Sequence, residues 1–200
     1  MIAVITGDII NSSDKEPKIW LKVLKQVLGK HGETPKDWVV YRGDSFQLSI
    51  NPKDALLVAL KIKSAIKQIE DLDVRLGIGL GEIDFESSKI TESNGSAFVR
   101  SGESFEDLKK QNIMFKSADL DLNEAINTML GLSLYISNKW SITVSEIIKL
   151  AIENPNLKQK ELADQLGKSQ SNISEALKRG GFDEIMAMNT YYKKQILKLC

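Results

Sequence analysis

Strand signals and helix signals are segregated along this chain, and that constrains its fold more than any other feature. Up to about residue 117, short β-branched apolar runs alternate with helical stretches; from Leu120 onward only helical periodicity is found. Such a chain is expected to be α+β. It divides into a sheet-bearing segment, residues 1–117, and a helical segment, residues 118–200. Hydrophobic residues make up 42% of the 200, enough to give both segments a core.

In the first segment Ile2 to Thr6 reads as a buried strand closed by a turn at Gly7-Asp8. Ile19, Trp20, Val23, Leu24, Val27 and Leu28 recur at helical spacing after Pro17. Trp38 to Tyr41 and Ser45 to Ile50 form a hairpin around Arg42-Gly43-Asp44. Pro52 opens a second long helix. Val74 to Ile83 is a strand with Gly77, Gly79 and Gly81 on one face, followed by a polar loop, a helix from Ser96 and a short strand from Ile113. The first six elements match the split βαβ, ferredoxin-like plan. The first strand is expected at the centre, with helices on one face.

The second segment carries the sharpest motif. Leu162 and Leu166 lie four apart on one face of a short helix, with the small Ala163 beside them. Gly167 stands where a sharp turn needs a left-handed residue. Ser169 can cap the next helix, and Ile173 and Leu177 give that helix its own inner face. Residues 159–178 therefore resemble the helix-turn-helix family, with Lys168 at a position where an apolar residue is usual. On that plan Gln170, Ser171, Ser174 and Lys178 sit on the exposed side of a recognition helix. Lys158, Lys160, Lys168, Lys178 and Arg179 are placed for phosphates, with Ser169 beside them. The alternative is an ordinary helix pair that packs or contacts protein. Acidic and basic residues balance at 27 each, so any DNA contact must come from this local cluster. Two half-sites and two-fold symmetry imply a homodimer.

The first segment carries two carboxylates, Asp8 and Asp44, that neighbouring strands bring to one end of the sheet. Two carboxylates with a main-chain carbonyl suit Mg²⁺ shared with phosphates; the plainer reading makes them turn residues. Arg42 and Arg75 likewise read either as phosphate ligands or as ion-pair partners of nearby acids.

Ile5-Thr-Gly-Asp8-Ile9 resembles the metal-binding strand end of class III nucleotide cyclases, and Arg42-Gly43-Asp44-Ser45-Phe46 their hairpin, which diguanylate cyclases share. Arg75 to Glu82 is similar to their Arg-x-Gly-Ile strand, and Gly95 to Arg100 falls where their Asn-x-x-x-Arg pair lies, with Ser96 in place of the asparagine. Over nearly the whole length the layout resembles the SatD-like family of small bacterial proteins. The resemblance implies Mg²⁺ or Mn²⁺ at Asp8, Ile9 and Asp44, with a nucleotide or phosphometabolite at Arg42, Gly43 and Arg100. A DNA-binding regulator whose first segment senses that ligand, without turnover, is the leading expectation. A cyclase-like enzyme with an accessory helical segment is the alternative.

Remaining features exclude more than they assign. One cysteine, Cys200, and one histidine, His31, leave no disulfide framework and no histidine metal cluster within a chain. No apolar run nears the roughly 18 residues of a membrane span, and the N-terminus lacks a signal-peptide pattern, so a cytoplasmic location is expected. His31 reads as a cation at a helix C-terminus. Trp20 and Trp38 read as core, Trp140 as a seam residue, and Tyr191-Tyr192-Lys193-Lys194 as a solvated helix face, with contact to the DNA backbone as the alternative.

Overall fold

The computed structural model describes residues 1–199; Cys200, at the end of the expected helical segment, lies outside them. The described chain is α+β, with one five-stranded mixed sheet and eight α-helices. Strand β1 (Ile2–Ile10) is followed by α1 (Pro17–Leu28) and the hairpin β2 (Trp38–Tyr41) and β3 (Ser45–Ile50). Next come α2 (Ala55–Ile66), β4 (Asp73–Gly81), α3 (Ser96–Glu106) and β5 (Ile113–Lys116). Five helices complete the chain: α4 (Leu120–Ser137), α5 (Ile142–Glu153), α6 (Gln159–Leu166), α7 (Gln170–Arg179) and α8 (Phe182–Leu199).

The strand order is β2-β3-β1-β4-β5, so the first strand is central as expected; β4 and β5 pair in parallel and the other pairs are antiparallel. Two expectations need correction. The first strand does not turn at Gly7-Asp8 but runs on to Ile10. Gly7 pairs with Phe46 on one side and Leu76 on the other, and a Cβ there would collide with both side chains. Asp8 continues the ladder opposite Arg75, whose positive charge balances its own negative one.

Nor do the helices keep to one face. Strand residues alternate between faces, so Thr6, Val4 and Ile2 share a side with their register partners Gly77, Gly79 and Gly81. Helix α3 lies directly on that glycine row: a Cβ on Gly79 would land on the Ser101 amide nitrogen, and one on Gly77 on the Ser101 carbonyl. Thr6 Oγ1 meets Ser101 Oγ at 3.0 Å across the same contact. The opposite face carries Ala3, Ile5, Phe46, Leu48, Leu76 and Ile78, all buried, in one cluster with the apolar residues of α1 and α2.

Apolar packing does not stop at residue 117. The same cluster continues through Ile126 and Leu130 of α4, Ile147 and Ile148 of α5, and Tyr192 and Ile196 of α8. Tyr192 was expected on a solvated face; it is wholly buried, its hydroxyl donating to the Pro52 carbonyl at 2.7 Å and its ring edge-on to Phe115. Only Tyr191 of that run is exposed among the two tyrosines. Trp140 does sit at a seam, donating from Nε1 to the Gly180 carbonyl at 2.9 Å. Trp20 and Trp38 are in the core as expected.

Two polar devices join α4 to the sheet. Asn127 accepts from the Phe115 amide and donates to the Phe115 carbonyl, both at 2.8 Å, and Asn123 does the same for Ser117. These side chains satisfy the outer edge of β5 as a sixth strand would. Lys63 of α2, wholly buried, donates to both Asp73 oxygens at 2.8 and 2.9 Å and to Asn138 Oδ1 at 2.7 Å. Its pKa is lowered to about 8 because burial penalises the ammonium more than Asp73 restores it.

Candidate functional site

Helices α6 and α7 take their form from local chemistry. Glu161 accepts from the Lys158 amide at 2.7 Å, holding the start of α6. Gly167 ends that helix at φ 61°, the left-handed conformation that favours glycine, and the next amide, Lys168, reaches back to the Ala163 carbonyl at 3.0 Å. Ser169 caps α7, its Oγ accepting from the Asn172 amide at 3.2 Å. Leu162 and Ala163 of α6, and Ile173, Ala176 and Leu177 of α7, are buried toward α5 and α8.

That packing leaves the outer arc of α7 to solvent. Gln170, Ser171, Ser174 and Lys178 are exposed on it, with Arg179 at its end. Lys158 and Lys160 are exposed at the start of α6. Lys168 is different: its ammonium lies 3.4 Å from Glu146 of α5, and the side chain is only 28% exposed. An apolar residue would be usual at this position; here a lysine reaches the rim and pairs, which explains its tolerance. One residue that sequence reading missed shares the outer arc. Glu175 is exposed beside Ser174, and the signal was available, since 171, 175 and 178 follow the same helical spacing. A cleft of about 680 Å³ runs between α5, α7 and α8, floored by Leu157, Leu162, Leu177 and Met186, with Ser174 and Lys178 at its edge.

The carboxylate pair is the second candidate. Asp8 points to the α3 side of the sheet, where Arg75 donates to both its oxygens, the Nε contact being 2.9 Å. Asp44, in the hairpin turn, accepts from the Ser12 hydroxyl, and its charge also acts on Arg75. The Asp8 contact is the largest cause that raises the Arg75 pKa. Asp8 alone pairs with the guanidinium while Asp44 acts on it only through space, and of the two readings of Arg75 the ion pair is the one formed. Arg42 (φ 50°) and Gly43 (φ 90°) make the exposed tip of the hairpin. Ile9 is a core residue, 3% exposed.

Arg100 is not brought to this group. Its Nη1 donates to the Leu80 carbonyl at 2.7 Å, five residues along β4 from Arg75, or on the order of 16 Å at strand rise. There it lines a separate cleft with Met1, Glu82 and Ser96. The side chains present do not make a finished metal centre. No cluster of three or more His, Cys, Asp or Glu suited to a metal ion occurs among the described residues, and Arg75 already supplies the positive charge.

His31 is corrected as well. Burial, then Lys61, lowers its pKa, and its Nε2 is enclosed without a hydrogen-bond partner, so it does not serve as a cation for the α1 dipole.

The fold and these two sites define a small α+β chain with a short helix pair joined at Gly167 and a charged sheet end. The family model for the SatD family matches residues 1–195, and the chain belongs to that family. No curated protein matches it. No described helix is long and apolar enough to cross a membrane.

Proposed function

We propose that this protein is a DNA-binding transcriptional regulator acting as a homodimer, with α7 as the recognition helix. The observation that carries the proposal is the α6–α7 geometry. A glycine in the left-handed conformation and a capping serine fix the turn, both inner faces are buried, and the outer arc offers Gln170, Ser171 and Ser174 between basic ends. Glutamine can pair with adenine and serine with several bases. Lys158, Lys160, Lys178 and Arg179 supply phosphate contacts; Lys168 contributes after leaving Glu146. The first segment, in this reading, keeps the ferredoxin-like, cyclase-like arrangement as a sensor, and the location is cytoplasmic.

Binding to a footprinted operator across a salt series tests this. Loss of Lys178 should weaken binding to every sequence and flatten the salt slope by about one unit. Loss of Gln170 should cost roughly 1–3 kcal/mol at the base it reads. Unchanged affinity in both Gln170→Ala and Lys178→Ala would remove α7 as the reader.

The pairing of Asp8 with Arg75, with the Asp44 charge acting on the same guanidinium, supports a ligand reading of the sheet end. A nucleotide or phosphometabolite arriving with Mg²⁺ or Mn²⁺ would take over both carboxylates and release the half-exposed Arg75 to its phosphates. Calorimetric titration with ATP and Mn²⁺ checks it: Asp8→Ala and Asp44→Ala should lose the metal-dependent heat, and equal binding by both would leave the acids as ion-pair and turn residues.

A further inference from the structure

Helix α4 faces the sheet with one side and solvent with the other, and the solvent side is ordered in a particular way. Asp121, Glu124, Thr128, Leu132 and Tyr135 are exposed at intervals of three and four, one stripe down the helix. Lys139, just past the helix end, belongs to the same stripe, because its Nζ lies over the Tyr135 ring at 3.9 Å. The stripe is acidic at its start, apolar in the middle and basic at its end. Acids near a helix start and a base near its end suit the helix dipole on their own. The dipole gives no reason for Leu132 and Tyr135 between them, 71% and 73% exposed.

We infer that α4 is the homodimer interface, packing antiparallel on α4 of a second copy. The stripe is complementary to itself under a two-fold axis beside Leu132. In that register Glu124 meets Lys139 of the partner copy, Thr128 meets Tyr135, and the two Leu132 side chains meet at the axis. A heterologous partner would need no such symmetry; an isologous contact requires it. The position suits the regulator reading, which this inference deepens and on which its use rests. Arg179, at the end of α7, lines a cleft with Tyr135, Ile136 and Lys139. Pairing two α4 helices therefore fixes the separation of the two α7 helices, as binding to paired half-sites demands. One helix pair buries less than a standard interface of about 1,200–2,000 Å², so the dimer is expected to be weak and concentration-dependent without DNA.

Sedimentation equilibrium of the full chain, without DNA, tests the assignment. Wild type should show a monomer–dimer equilibrium in the micromolar range. Leu132→Asp should weaken it at least tenfold. Glu124→Lys and Lys139→Glu should each weaken it several-fold, and the double exchange should restore it. In a Cys200→Ser background, Leu132→Cys should form a disulfide dimer under mild oxidation, while Glu124→Cys should not. A monomer at every concentration, or a dimer indifferent to Leu132→Asp and to the charge exchange, would overturn the interface. These outcomes are separable from the regulator reading: a dimer that binds no DNA fails that reading alone, and a monomer that binds an operator fails the interface alone.

Discussion

Replacing Lys63 by methionine should change the pH dependence of stability in a defined direction. Lys63 is wholly buried, and its pKa falls from 10.5 to about 8 on folding, chiefly through desolvation. Each unit corresponds to about 1.4 kcal/mol, so the protonated side chain penalises the folded state by about 3 kcal/mol. Between pH 8 and 10.5 the unfolded chain binds more protons at this site than the folded one, so stability from this group rises with pH. It is fully present above 10.5 and is lost as pH falls through 8. Methionine has a similar length and no charge. Asp73 keeps the Val74 amide at 2.8 Å, and Lys67 and Asn112 at 3.4 Å, so the substitution does not strand it. Urea unfolding followed by circular dichroism, at a series of pH values, gives the difference between wild type and Lys63→Met; titrations of groups not coupled to Lys63 cancel in that difference, and those of Asp73 and Lys67 do not. Wild type should gain about 3 kcal/mol on the variant between about pH 7 and 10.5, most steeply between 8 and 10.5. A difference that is flat, or that shrinks as pH rises, would refute the desolvated-ammonium account.

His31 should titrate in the same sense at lower pH. Its folded pKa is below 6.5, so wild type should lose stability relative to His31→Gln as pH drops below 6.5, read by the same denaturation series. Two glycines should respond differently to alanine. At Gly167 the surroundings are open and only the left-handed backbone is penalised, about 1–2 kcal/mol, whereas at Gly79 the new carbon meets the α3 backbone and the chain should fail to fold to a single thermal transition. Glu175→Gln should raise affinity for non-specific DNA, because an exposed acid on the outer arc of α7 repels phosphates; fluorescence anisotropy at low salt would show it, and equal affinity would place Glu175 away from the DNA.

Local signals in this chain were legible where the physics is local. The Gly167 turn, the Ser169 cap and the apolar spacing of α6 and α7 each depend on residues within a few positions, and all appear at the expected places. The Arg42-Gly43 hairpin was readable for the same reason, whereas the central position of β1 followed from the order of elements and the split βαβ plan. What escaped depends on partners distant in sequence. Nothing near Asp8 announces that Arg75, 67 residues on, takes its carboxylate and lets β1 run past the expected turn. The glycine row of β4 was visible, but not that α3 would lie on it from the opposite face. Tyr192 looked solvated beside two lysines; its burial is decided by Pro52 and Phe115.

The contact between Tyr192 and Pro52 spans 140 residues, and it bears on the order in which the chain is made. Helix α2 emerges from the ribosome long before α5 and α8, which cover its far side. Until they arrive, part of its apolar surface has nothing to pack against. The sheet segment is therefore committed to a period of exposure during synthesis, when it is a substrate for holding chaperones. A message cut short anywhere before α8 would leave the cell a sheet with an uncovered flank, and such fragments should be removed rather than accumulate.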